Sequence, residues 1–144
     1  MSSAPAVPIN PDTLMRARGY SHGLLAPGGW LFVAGQLGTD TDCTYPGGDD
    51  VVAQFDRALW NFLEVVRRGG GEPSHVVKMT FFVTDLDEWF GLAEELGPVY
   101  RRHFDRHYPA ITLLQQPRLT IPGGKVEIEG VALVPPPEGS SNER

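Results

Sequence analysis

Two glutamates at alternate positions, Glu127 and Glu129, are the residues best suited to acid–base chemistry. A partly buried carboxylate whose pKa is raised can take or give a proton near neutral pH. The alternative is a pair of solvent-facing strand residues, since both glutamates share one phase of a strand. Tyr20 offers an apolar ring and a hydroxyl, and His22 beside it reads as a surface residue. Thr112, Gln115 and Gln116 lie on or beside one strand, where alternation lets only some of them face a ligand. His103 and His107 sit four residues apart on a helix, a spacing metals can use, but with no third ligand they read as helix surface. Cys43 has no basic neighbour to lower its pKa and reads as inert. There is no phosphate loop, dinucleotide fingerprint or zinc motif, so no cofactor is implied.

The elements that must position these residues follow from punctuation and period. Tyr20 to Leu25 and Trp30 to Ala34 read as strands turned by Ala26-Pro27-Gly28-Gly29. The second strand is apolar throughout, which predicts cover on both of its faces. Asp49 or Asp50 caps a helix whose inner face is Val52, Phe55, Leu59, Phe62, Leu63 and Val66. Gly69-Gly70-Gly71 ends it. His75 to Thr84 is a β-prone strand. Asp85 and Glu88 form a capping box before a helix with Trp89, Leu92, Leu96, Val99, Tyr100 and Phe104 inward. Gly97-Pro98 predicts a kink or restart there. Pro109 to Gln116 and Lys125 to Val134 are the last strands, the second with a slip near Gly130.

This order predicts an α+β domain with two helices on one face of a mixed sheet. The other face needs cover, and a partner subunit supplies it. Residues 1–13 and 135–144 lack the periodicity of packed elements, which leaves 14–134 as a single domain between a flexible N-terminal segment and a disordered tail. Of 144 residues, 12 are basic and 18 acidic, for a formal net charge of −6. That balance argues against a nucleic-acid surface. No apolar run approaches the roughly 18 residues of a membrane helix, and no signal peptide is evident at the N-terminus. A lone cysteine fits a reducing compartment, so the expected location is the cytoplasm.

Five stretches in order resemble the RidA/YjgF family: Gly19-Tyr20-Ser21-His22 with Leu31 to Gln36, Ala53-Gln54 with Leu59 to Leu63, Val76 to Leu86, Tyr108-Pro109-Ala110, and Val126 to Ala132. The resemblance covers about Tyr20 to Val134. It implies a chorismate-mutase-like homotrimer with outer helices, sheets packed around the axis, and a small-molecule cleft between subunits. Family enzymes hydrolyse enamines and imines of amino acids to 2-oxo acids and ammonia. Their cleft carries an arginine directly after the Pro-Ala of the penultimate strand, where a guanidinium fork grips the substrate carboxylate.

Here that position is Ile111, which cannot make the pair, and the position of a cysteine found in some members is Leu113. Arg118 is the nearest replacement cation by sequence, with an exposed loop arginine as its alternative. The resemblance places Glu127 where the family holds or activates water, Tyr20 at the cleft edge, and Gly35 where backbone approaches ligand. A strand bulge is the alternative for Gly35. Gln115 is positioned to hold a neutral polar group. Ordinary 2-imino-acid deaminase activity is therefore expected to be weak or absent. The remaining readings are a hydrolase or isomerase for an imine or enamine without the usual carboxylate handle, suited to a specialised biosynthetic pathway, and a non-catalytic metabolite-binding trimer. Retention of Glu127 favours the first and loss of the arginine the second.

Overall fold

The structure, a computed structural model, describes residues 4–139. Six strands form one mixed sheet: β1 Val7–Ile9, β2 Gly23–Leu25, β3 Trp30–Leu37, β4 Val76–Val83, β5 Ala110–Gln115 and β6 Val126–Leu133. Their spatial order is β1-β2-β3-β6-β4-β5, antiparallel except for the parallel pair β4 and β5. Helices α1 Val51–Arg68, α2 Leu86–Gly91 and α3 Ala93–Phe104 are the α-helices of the fold, and α1 and α3 carry the buried apolar residues that pack on the sheet's inner side. The observed architecture is the α+β sheet that the pattern predicts.

Helix α1 starts where Asp50 accepts hydrogen bonds from the backbone N–H of Val52 and Ala53. Phe55, Leu59, Phe62, Leu63 and Val66 are buried on its sheet side. Phe55 also meets Phe81 of β4 and Trp89 of α2 edge-on, at 5.5 and 4.9 Å between ring centroids. Two polar residues on that inner side are equally buried. Asn61 Nδ2 donates to the carbonyls of Leu37 and Thr39, each at 2.8 Å. Gln54 Nε2 donates to Gly48 and Gly123 carbonyls, and its Oε1 accepts from Lys125 N–H. Both amides hold loop backbone that no strand partner satisfies.

Four features differ from the sequence reading. First, Val7–Ile9, inside the segment expected to be flexible, is an edge strand paired to β2. A three-residue strand is too short to show a period, so composition hides it. Residues 1–3 and half of the C-terminal tail, 140–144, lie outside the described residues; 135–139 carry no strand or helix.

Second, the first predicted strand begins only at Gly23, because the chain bends at Tyr20 and again at His22. Third, the helix restarts at Leu92 rather than at Pro98, and Pro98 sits inside α3. Its missing N–H frees the Glu94 carbonyl on the exposed side of the helix, where water can satisfy it. Fourth, β6 has no slip. Val126, Ile128, Gly130 and Ala132 all face inward, and Val131 and Leu133 share the outer face with the two glutamates. The irregularities lie in its neighbours, between Val33 and Gln36 of β3 and between Val76 and Lys78 of β4. Gly130 keeps its inward place because a Cβ there would meet the Lys78 carbonyl and the Phe62 ring.

The outer face of the sheet is bare. Trp30 and Phe32 of β3, which the apolar run predicts to be covered, are 44% and 50% exposed. They pair in register with Leu133 and Val131 of β6, and Leu133 is 41% exposed.

Candidate functional site

Glu127 stands on the outer face near the start of β6, beside the bulge of β3. It lines a hollow of about 380 Å³ with Tyr20, His22, Gly35, Gln36 and Thr39. The bulge between Val33 and Gln36 carries Gly35 over the glutamate, and a Cβ on Gly35 would collide with the Glu127 carboxylate. Gly35 is thus both the bulge residue and the gap that admits the carboxylate. Burial, with the Glu129 charge second, pushes the Glu127 carboxyl above the usual range.

Tyr20 forms one wall. Burial, then Cys43 and Glu127, raise its hydroxyl pKa. Its ring meets His22 edge-on at 5.4 Å. His22 is buried, not a surface residue as its sequence position suggests, with 2% of its area exposed. Its Nε2 lies 2.7 Å from the Met15 carbonyl, which only an N–H can satisfy, so Nδ1 accepts from Gln36 Nε2 at 3.0 Å. The imidazole is a neutral brace for the wall.

Tyr45 is a residue that the sequence reading missed. Its hydroxyl donates to the Ile121 carbonyl at 3.0 Å and so ties the 40–48 loop to the loop lining the hollow. Burial, then Glu127 and Cys43, push its hydroxyl up to about 12. The signal available was an aromatic in a polar loop, which is common on any surface.

A second hollow of about 350 Å³ lies on the helix side. Ile111 of β5 forms part of it with Trp89 and Phe90 of α2, Tyr100 and Arg101 of α3, and Tyr108. Ile111 pairs in register with the buried Met79 of β4 and therefore faces the helices. Leu113, two residues on, is partly buried against the core. Gln115 Oε1 accepts from Leu86 N–H at 2.9 Å, which commits it to the start of α2. Arg118 is exposed after β5 and lines neither hollow.

The candidates thus fall into two groups. Tyr20, Gly35 and Glu127 come together, Ile111 lies elsewhere, and the sheet stands between them, because Glu127 points outward and Ile111 inward. The two histidines four residues apart are engaged in the structure. His103 Nε2 is 2.6 Å from Asp56 Oδ1, and His107 Nε2 is 2.7 Å from the Val76 carbonyl. Among the described residues no group of three His, Cys, Asp or Glu is placed to hold a metal ion.

With this geometry in place, the comparisons are informative. The family model described as Endoribonuclease L-PSP, the RidA/YjgF family, matches residues 11–134. The chain belongs to the RidA/YjgF family. Protein DfrA of Myxococcus xanthus is 35% identical over 127 residues, 87% of this chain and 93% of that protein. A 2-iminobutanoate/2-iminopropanoate deaminase of Capra hircus is 32% identical over 108 residues, 74% of each chain. Among solved structures, E. coli TdcF with bound serine superposes at a TM-score of 0.75 with 30% identity, over 88% of this chain and 98% of that one. Family membership agrees with the resemblance drawn from the five stretches, and imine-related chemistry has a family precedent. Among the described residues no helix is long and apolar enough to cross a membrane.

Proposed function

We propose that this protein hydrolyses or isomerises an imine or enamine lacking the usual carboxylate handle, in a cleft between subunits of a homotrimer. The observation that carries the reading is Glu127: a half-buried carboxylate with a raised pKa, in a hollow walled by Tyr20 and opened by Gly35. Such a group can hold its proton in one step and accept one in the next near neutral pH.

In hydrolysis the substrate reacts as the protonated imine: Glu127 takes a proton from water as the water oxygen bonds to the imine carbon, and the C=N π pair moves onto nitrogen to give a neutral carbinolamine. Glu127 then gives that proton to the carbinolamine nitrogen, the C–N bond breaks as the carbonyl forms, and the hydroxyl proton passes through the Glu127 carboxylate to the departing ammonia. In isomerisation the same carboxyl protonates the enamine carbon and, as the carboxylate, takes the proton from nitrogen. Water and one carboxylate suffice for either reaction.

Two observations support a cleft between subunits. Glu127 and Ile111 face opposite sides of one sheet, so both can touch one ligand only if different chains supply them. The bare outer face with Trp30, Phe32 and Leu133 is an apolar patch of the kind that partners cover. The cytoplasm remains the proposed location. A non-catalytic, metabolite-binding trimer is the second reading, favoured by the apolar lining around Ile111.

The test is ammonia release from enzymatically generated 2-imino acids, wild type beside Ile111→Arg. Weak wild-type activity with a gain in the variant supports a cleft that does not grip a carboxylate at the Ile111 position. Full wild-type activity refutes the reading of Ile111. Sedimentation equilibrium tests the assembly: a monomer mass would remove the shared cleft.

A further inference from the structure

We propose that the hollow around Ile111 is an aryl-anion site, in which the aromatic walls hold a ring and Arg101 pairs with an acidic group of the same ligand. The assignment rests on the cleft reading above and names the ligand class that the Ile111 side of the cleft accepts.

The walls are aromatic on three sides: Phe55 and Phe81 at the base, Trp89 and Phe90 from α2, Tyr100 and Tyr108 toward the edge. Phe90 and Tyr108 are 63% and 61% exposed, an unusual state for side chains of this size outside a contact surface. Tyr100 and Tyr108 lie nearly parallel, 5.5 Å apart with planes 15° from each other. Tyr100 also stacks on Phe104 at 5.0 Å, so Tyr108 is the outer, exposed ring of this stack. The hollow, about 350 Å³, lies within the range that small-molecule sites occupy, roughly 300–1,000 Å³.

Polar side-chain functions in the walls are few. The Tyr100 hydroxyl donates to the His107 carbonyl at 2.6 Å. With its proton thus used and its pKa raised to about 12 by burial, it is no partner for an incoming anion. Arg101 is the charged residue of the lining. Among the described residues its guanidinium has no carboxylate within salt-bridge distance, whereas Arg68 has two and Arg102 and Lys125 one each.

Gly97, one turn earlier on α3, leaves the guanidinium room. A Cβ at Gly97 would stand 3.2 Å from Arg101 Nη1, so the glycine lets that side chain lie along the helix beside the hollow. A planar guanidinium at the rim of an aromatic hollow suits a carboxylate or similar oxyanion attached to a ring. This cation lies on α3 and not on β5, so the acidic group would be held away from the position that the family arginine serves. Arg118 has no part in it.

Titration calorimetry of the full chain with phenylacetate, phenylacetamide and acetate tests the site without turnover. Phenylacetate should bind more tightly than its neutral amide by roughly fivefold, the most an exposed ion pair usually gives, and acetate should not bind measurably. Arg101→Gln should bring the two aryl ligands to equal affinity, while Arg67→Gln, the same charge removed from the end of α1, should leave the preference intact. Equal binding of acid and amide by the wild type, a preference that survives in Arg101→Gln, or no binding of either aryl ligand would each overturn the assignment. Arg101-dependent binding with no ammonia release from any imine would leave this site standing and bring down the proposed reaction.

Discussion

The hollow at Glu127 and the hollow at Ile111 are similar in volume, about 380 and 350 Å³, and opposite in construction. The first is assembled by hydrogen bonds at places where regular pairing fails. A bulge in β3 displaces Gly35, His22 and Gln36 brace each other, Tyr45 holds the 120–121 loop, and the buried amides of Gln54 and Asn61 fix the backbone around it. The second is the rim of the hydrophobic core, where Phe55, Phe81 and Trp89 continue outward to Phe90 and Tyr108. A polar site therefore costs backbone irregularity, and an apolar one comes with the core itself. Substitutions should separate the two accordingly.

The largest effect is expected from Glu127→Gln. It removes the proton carrier and should lower ammonia release at least about 100-fold, the scale of general acid–base catalysis. Activity equal to wild type would make the two hollows alike in being passive. Phe55→Ala should come next, losing about 3–5 kcal/mol of stability in urea unfolding, because Phe55 is 1% exposed and shares its rings' contacts with β4 and α2. Tyr20→Ala, from a wall residue 43% exposed, should lose less than about 1 kcal/mol. Comparable losses would erase the contrast between a core rim and a braced loop.

Gly35→Ala should lose about 1–3 kcal/mol, since the added methyl meets the Glu127 carboxylate. The double variant with Glu127→Ala should recover most of that loss, and additive losses in the cycle would place the strain elsewhere. The smallest effect concerns pH. Glu127 keeps its proton to higher pH in the folded state than in the unfolded chain. The folded state therefore binds more protons in the window between the ordinary carboxylate range and the raised value, and stability falls as pH rises through it. Thermal melts should show Glu127→Gln more stable than wild type at pH 7, with the gap closed at pH 3. A gap of the opposite sign would mean that the carboxylate is better satisfied in the fold than in water.

Much of this molecule was legible in its sequence, for identifiable reasons. The inner faces of both long helices repeat every three to four residues, and nothing but burial imposes that period, so Phe55, Leu59, Phe62, Val99 and Phe104 could be placed without coordinates. Asp85 could be assigned as a cap, and the other narrowed to Asp49 or Asp50, because a carboxylate just before an amphipathic run has one evident partner; the structure selects Asp50. The five family stretches include Tyr20, Gly35 and Glu127, and these meet in the structure. What stayed hidden depended on other elements. The phase of β6 was misread because the bulges of β3 and β4, not a slip in β6, set where Val131 and Leu133 point. The buried state of His22 depends on Met15 and Gln36, which the sequence holds apart from it. Arg101 could not be distinguished from Arg102, its neighbour on the helix, until α3 was seated against β5 and α1. Arg102 then reaches Asp56 while Arg101 joins the aromatic hollow. Local period and capping are written residue by residue, because they arise from neighbours along the chain. The facing of a side chain across a sheet, and the company it keeps there, is decided by packing between distant segments, and only the tertiary structure records it.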